Sequence, residues 1–506
     1  MIQLPVVFDS CRPKARQMAR ALTPLAGLLA LFAALSALGG SAWAQGGGAT
    51  AAATPEPAPF SPNTGDTAWV LASSALVLLM TPALAFFYGG LVRGKNMLNT
   101  LMMSFGAMAV MAMVWVALGY SIAFGNNGNP YWGGLGWAGL PPAMELVADN
   151  YPEAPGADGK IVTYTATVDA QGNDIPEAKR AAAPVKLFAT VPHGAFMIFQ
   201  MMFFIITPAL ISGSLVERMK FIPYLIFIAL WGILVYCPVA HWVWHPAGWI
   251  FTKGAMDFAG GAVVHVNAGF AALAGALVVG PRKGYGKRPM LPHSLPLCLL
   301  GVGLLWFGWY GFNAGSAGGA GALGVLAFIN TTLGAAAAML VWMLIDLITR
   351  KEITALGAGT GAVAGLVGIT PACGFVSPTG AILVGAITSC ICYVMATARA
   401  KGKVDDSLDA FAVHGVGGFT GAILTGVFAT GALSGVNAFI VPGGLSTVIL
   451  QLQCTAVVAI YSFTVAFILM TVIKAMGGLR VSDEAEERGL DLSSHGEEAY
   501  ASESSG

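Results

Sequence analysis

Charge is scarce in this chain: Lys, Arg, Asp and Glu together make up 10% of its 506 residues, against 56% hydrophobic. So few charges cannot coat a soluble globule, which excludes an ordinary soluble enzyme. Neither sign is in excess, with 25 basic and 25 acidic residues, so nothing points to a nucleic-acid partner. The seven cysteines show neither metal-ligand nor disulfide spacing. Cys237, Cys298, Cys390, Cys392 and Cys454 fall within apolar runs, where a thiol acts as a small hydrophobe, and no metal or cofactor is called for. What is abundant is apolar sequence punctuated by 66 glycines, the composition of an all-α polytopic membrane protein.

Residues 1–44 read as a cleaved secretory signal peptide, with Arg12, Lys14, Arg16 and Arg20 ahead of the apolar stretch Leu22 to Leu38 and then Ala42-Trp43-Ala44. An extra anchoring helix is the alternative. Residues 45–66, rich in Ala, Pro and Gly, form a flexible extracytoplasmic lead-in. The transmembrane domain, 67–476, holds eleven stretches that meet the ~20 apolar residues a crossing needs: 67–90, 97–124, 188–212, 221–243, 260–280, 293–315, 319–346, 353–371, 379–398, 409–431 and 445–476. The eighth is short and ends in Thr370-Pro371, so it reads as broken or incomplete. Alternate connections carry Arg93/Lys95, Arg218/Lys220, Arg282/Lys283/Lys287/Arg288, Arg350/Lys351 and Arg399/Lys401/Lys403, thirteen positive charges against the single Lys253 of the short connections between them. Those loops are therefore expected in the cytoplasm, the N-terminus outside and the C-terminus inside. The long outer connection, about 125–186, reads as a surface insertion with a weak strand-like stretch at 163–167.

Two of these spans share an unusual feature. His265 and His414 each lie eight residues after an aspartate, Asp257 and Asp406, inside glycine-rich apolar sequence. An ionisable group at membrane depth is costly and marks a substrate or proton path, and two spans built alike point to an internal repeat: two inverted, pseudo-symmetric halves of five helices plus one extra. On that reading the two imidazoles stand side by side at the midplane and share a proton, although two satisfied core histidines would show the same letters. A bare cation cannot follow cheaply, since the idealised cost of taking one into hydrocarbon is about 20 kcal/mol. Asp257 and Asp406 sit at span entrances, where a carboxylate caps a helix; direct attraction of a cation is the alternative role. Phe199, Phe203, Trp244, the run Trp309 to Phe312 and Ser316 supply aromatic faces and a hydroxyl, which suit either an interfacial belt or a site holding a desolvated ammonium by cation–π attraction.

From Thr67 to Tyr500 the chain resembles the ammonium transporter family, the Amt/Mep/Rh group, and within it the bacterial Amt branch. The resemblance is carried by Phe87-Tyr-Gly-Gly-Leu-Val-Arg-Gly-Lys-Asn96, Asp257-Phe-Ala-Gly-Gly-Ala-Val-Val-His265, Gly308-Trp-Tyr-Gly-Phe-Asn-Ala-Gly-Ser316, Thr370-Pro-Ala-Cys-Gly374 and Val413-His-Gly-Val416. It implies a homotrimer in the bacterial inner membrane with one pore per subunit, transporting ammonium or ammonia, with methylammonium as a further substrate. It places an outer ammonium site at Phe203, Trp244 and Ser316, a gate of stacked rings at Phe203 and Phe312, and a proton relay at His265 and His414. Asp257 becomes the support of the outer site, Asp406 its inner counterpart, and Gln200 matches the pattern just before the gate. Trp244 is followed by His245-Pro246, one residue more than the family pattern. The pairing of Trp244 with Ser316 favours electrogenic uptake over the neutral NH3 or CO2 conduction of the Rh branch.

Hydrophobicity ends at Gly477, and the acidic stretch 477–506 reads either as a solvated tail or, by the same resemblance, as a cytoplasmic regulatory surface contacted by a PII signalling protein. Two further readings remain. An intramembrane metal enzyme lacks a third clustered His or Cys beside His265 and His414. An ammonium sensor of low flux would need an output domain larger than this tail.

Overall fold

Asn63 starts the first helix: its side chain accepts the N–H of Asp66 at 3.0 Å. A computed structural model of the chain describes residues 62–125, 129–140, 163–165, 182–184, 188, 190–400, 402, 404–433, 437 and 441–500. The predicted signal peptide and most of the lead-in and outer insertion lie outside these residues. Within them, ten helices are long and apolar enough to cross a membrane: α1 Thr64–Leu91, α2 Gly94–Phe124, α3 His193–Ser214, α4 Phe221–Trp244, α5 Gly261–Val279, α6 Leu295–Gly315, α7 Ala322–Arg350, α9 Pro378–Ala400, α10 Phe411–Phe428 and α11 Leu445–Gly477. Between α7 and α9 lies α8, Ala355–Ile369, with 15 residues. At 1.5 Å per residue it spans only about 22 Å, short of the roughly 30 Å hydrocarbon, in line with the expectation of an incomplete span.

Several predicted bounds shift for local reasons. The first span begins at Thr64, after the Asn63 cap, rather than at residue 67. The third span begins at His193 because Pro192 precedes it in extended backbone. The sixth begins after Ser294, whose hydroxyl accepts the Leu297 N–H at 3.4 Å. The tenth begins at Phe411, not 409, because Asp409 adopts a left-handed φ of 58°. In the insertion, β1 Thr163–Thr165 pairs antiparallel with β2 Ala182–Pro184, which matches the strand-like reading there.

Burial ranks the helices. In α3 and α5, 89% and 83% of the apolar window is buried, against 33% in α2, α7, α9 and α11. The first pair forms the centre and the others leave large apolar side chains such as Leu344, Ile348, Val394 and Ile460 exposed, as lipid-facing or subunit-facing helices do. With no hydrophobic drive between helices in lipid, close backbone contact takes over. A Cβ on Gly301 of α6 would lie 2.4 Å from the Phe87 backbone nitrogen of α1. The same device brings α5 to α10: a Cβ on Gly269 would lie 2.1 Å from the Gly415 nitrogen, so only glycine permits that crossing.

Candidate conduction site

The crossing of α5 and α10 positions the two histidines. Each sits in a π-helical turn, Gly261–Val266 for His265 and Phe411–Gly415 for His414, a widened turn that recurs at functional sites. The cause of each turn lies upstream. Asp257 accepts four backbone N–H groups, with Oδ1 receiving Gly260 at 2.9 Å and Gly261 at 2.6 Å and Oδ2 receiving Ala262 at 2.9 Å and Val263 at 3.1 Å. Asp406 receives Ala410 at 3.1 Å and Phe411 at 2.8 Å and also the Ser214 hydroxyl. Both carboxylates thus sit where a helix dipole and its orphan donors need them.

The rings meet. Nδ1 of His414 lies 3.2 Å from Nδ1 of His265, with planes inclined by 21°. One nitrogen must donate and the other accept, so the pair holds a shared proton position. Trp309 backs His265 at 5.4 Å between ring centroids and is pinned by its Nε1–H to the Thr370 hydroxyl at 2.9 Å. His265 Nε2 has no hydrogen-bond partner among the described residues. It borders a constriction of about 10 Å³, lined otherwise by Met80, Leu84, Ile206, Leu210, Leu305, Trp309, Phe312, Val363 and His414.

On one side of this constriction the Phe203 and Phe312 rings stand 4.3 Å apart. Beyond them lies a cavity of about 120 Å³ bordered by Gln200, Trp244, Phe258 and Ser316. The Ser316 hydroxyl donates to the Phe312 carbonyl at 2.8 Å, which leaves its lone pairs to accept. Gln200 Oε1 is buried without a partner among the described residues. Trp244 packs edge-on to Phe203 at 5.8 Å, and its Nε1 donates to the Asp257 carbonyl at 3.0 Å. Asp257 therefore ties the indole to the His265 turn, and the extra residue after Trp244 does not carry it away.

On the other side a wider cavity, about 380 Å³, opens among Tyr88, Arg282, Tyr285, Arg288, Arg399, Asp409 and His414. We call this the arginine-bearing mouth. Its rim is held by ion pairs that link distant loops: Arg282 reaches Glu217 at 2.5 Å and Asp405 at 2.9 Å, and Arg93 reaches Glu217 at 2.8 Å. Burial alone would raise the Glu217 carboxyl, but Arg282 and Arg93 outweigh it and hold it below the usual carboxylate range. Asp405 is likewise held low against burial, chiefly by Arg282. In the sequence Arg93 and Arg282 count only as loop charges and Glu217 and Asp405 go unmarked; the adjacent Glu217-Arg218 directly after an apolar span is the available signal.

The described tail lies against this same end. Leu490 N–H bonds Asn96 Oδ1 at 2.9 Å, Asp491 accepts the Asn99 N–H at 2.8 Å, and His495 Nε2 lies 3.0 Å from Asn99 Nδ2. Glu486 receives the Lys283 N–H at 2.6 Å and pairs with Arg480 at 2.6 Å. A freely solvated tail makes no such set of contacts.

The family model of the Ammonium Transporter Family matches residues 68–500. The chain belongs to the ammonium transporter family. A protein of Mycobacterium tuberculosis strain H37Rv named "Ammonium transporter" is 43% identical over 461 residues, covering 87% of this chain and 91% of its own. One of the same name from Bacillus subtilis is 42% identical, with 86% and 98% covered. The crystal structure of Saccharomyces cerevisiae Mep2 is similar with a TM-score of 0.71 at 32% identity, over 84% of this chain and 88% of that one. Membership and the ten apolar helices together make this family member a multi-pass membrane protein. Among the described residues no three His, Cys, Asp or Glu side chains are grouped to hold a metal ion.

Proposed function

We propose that the protein takes up ammonium by separating it into NH3 and a proton. NH4+ binds at Phe203, Trp244 and Ser316, where the indole and phenyl faces attract the cation and Ser316 and Gln200 accept its N–H groups. Past the Phe203/Phe312 gate it loses its proton at the histidines. NH3 then passes the dry constriction, bonding in transit to His265 Nε2, while the proton moves along the His265–His414 pair. Cost decides for separation: an intact cation in a 10 Å³ space walled by Leu, Ile, Met and aromatic groups has almost nothing to replace its water. K+ is rejected because it has no proton to surrender.

The observation that carries this reading is the 3.2 Å contact between two imidazoles inside an apolar constriction. In the same reading the chain crosses the bacterial inner membrane eleven times as two inverted halves of five helices plus one, with the N-terminus outside after removal of residues 1–44. The arginine-bearing mouth faces the cytoplasm, three copies form the working unit, and the packed tail is the surface a PII signalling protein contacts. Asp257 supports the outer site through Trp244, and Asp406 braces the inner turn.

Current evoked by an ammonium gradient in proteoliposomes tests the proposal. The wild-type protein is expected to carry it, and a channel for neutral gas would carry none. His265→Ala and His414→Ala are each expected to abolish the current or its selectivity over K+.

A further inference from the structure

A proton that reaches His414 must still leave it. His414 borders both the dry constriction and the 380 Å³ cavity, so it is the step between a space too small for a chain of water and one large enough for about ten molecules at ~30 Å³ each. The groups lining that cavity are poor receivers. Arg282, Arg288 and Arg399 already carry protons, and Tyr88 and Tyr285 are far weaker bases than imidazole. Asp409 is the one carboxylate among the described residues that line it.

Its backbone is the second observation. Counting back five residues from each histidine reaches Gly260 in one turn and Asp409 in the other, and both are left-handed, with φ of 114° and 58°. In the first turn glycine meets that demand freely. In the second an L-residue is held there at a cost of about 1–2 kcal/mol. Asparagine, serving as well in this conformation, would not supply an acid. Strain kept where glycine would serve points to the side chain.

We propose that Asp409 receives the proton leaving His414 through the water of this cavity and passes it to the bulk, while Arg399 keeps it ionised between transfers. The inference rests on the relay reading above. The imidazolium becomes imidazole, the carboxylate becomes the acid, and water then takes the proton. Arg399 Nε lies 2.6 Å from Asp409 Oδ1. Burial raises the Asp409 carboxyl to about 6, against the pull of Arg399 and with the Asp406 charge adding to the rise. Arg282, Tyr285 and Arg288 from the α5–α6 connection, Tyr88 from α1 and His414 from α10 complete the groups facing the cavity. A carboxyl there is vacant at neutral pH yet basic enough to hold a proton briefly.

The test is the ammonium-evoked current of full-length protein in proteoliposomes as a function of internal pH. Wild-type current is expected to fall as pH drops through about 6, when Asp409 is already occupied. Asp409→Asn is expected to lower the current about a hundredfold at pH 7 and remove that acid limb, and Asp409→Glu to restore both. Arg399→Gln is expected to move the acid limb to higher pH. Asp409→Gly, whose backbone suits the turn, gives the same loss if the Asn variant does not fold. A wild-type current left unchanged in size and pH profile by Asp409→Asn or Asp409→Gly overturns the assignment of Asp409 alone, whereas absence of wild-type current overturns the transport reading and this inference with it.

Discussion

The His265 and His414 turns have one plan and two environments. Each is a π-helical turn begun by a left-handed residue, capped by an aspartate eight positions before its histidine, and continued by a 13-residue helix. Asp257 accepts four backbone N–H groups, and its carbonyl holds Trp244, which borders an aromatic cavity with a free amide oxygen and a hydroxyl. Asp406 accepts two such groups and Ser214, and its neighbourhood is a cavity rimmed by arginines. The shared plan brings the rings together; the difference in surroundings sets aromatic faces and free acceptors at one end and paired charges at the other. Gly260 and Asp409 mark the divergence most sharply, being equivalent in backbone and opposite in chemistry.

The comparison breaks first if the turns are forced apart. Gly269→Val sets side-chain atoms against the Gly415 backbone, and a loss of more than about 3 kcal/mol is expected, seen as failure to recover monodisperse protein in detergent. Next come the caps: Asp257→Ala leaves four orphan donors and is expected to cost about 4 kcal/mol, and Asp406→Ala, with two backbone donors and the Ser214 hydroxyl, about 3 kcal/mol, read from thermal unfolding. Equal losses would show that the two aspartates are not bearing unequal loads. The third pair should diverge: Gly260→Ala is expected to cost about 2 kcal/mol, whereas Asp409→Gly changes stability by less than about 1 kcal/mol because relieved strain offsets the lost ion pair.

The smallest effect at neutral pH concerns the ion pairs at the arginine-bearing mouth. Glu217 and Asp405 titrate below their unfolded values, so what they contribute is fully present above the ordinary carboxylate range and lost as pH falls through their depressed values. Unfolding temperature in detergent should therefore drop on acidification below about pH 4, and Glu217→Gln should flatten that drop.

Much of this was legible in the sequence because lipid makes its demands locally. Apolar length gave the helices, and the Asp-x7-His repeat put Asp257 and Asp406 at helix starts and the histidines in one apolar layer. Long-range pairing of charges was not legible. Arg282 meets Glu217 and Asp405 across 65 and 123 positions, and no periodicity links them. Trp309 reads as one more membrane aromatic until α6 is seen to lay it on His265. Asp409 carries no signal in the sequence, because φ is not written in letters.

On the proposed mechanism the cation is split at the imidazole pair. The most direct test is ammonium-evoked current in the presence of competing K+, measured for wild type, His265→Ala and His414→Ala in proteoliposomes of matched protein content. Wild type should carry a K+-insensitive current, and each variant either no current or one that K+ also carries. Unaltered current and unaltered rejection of K+ in both variants would contradict it.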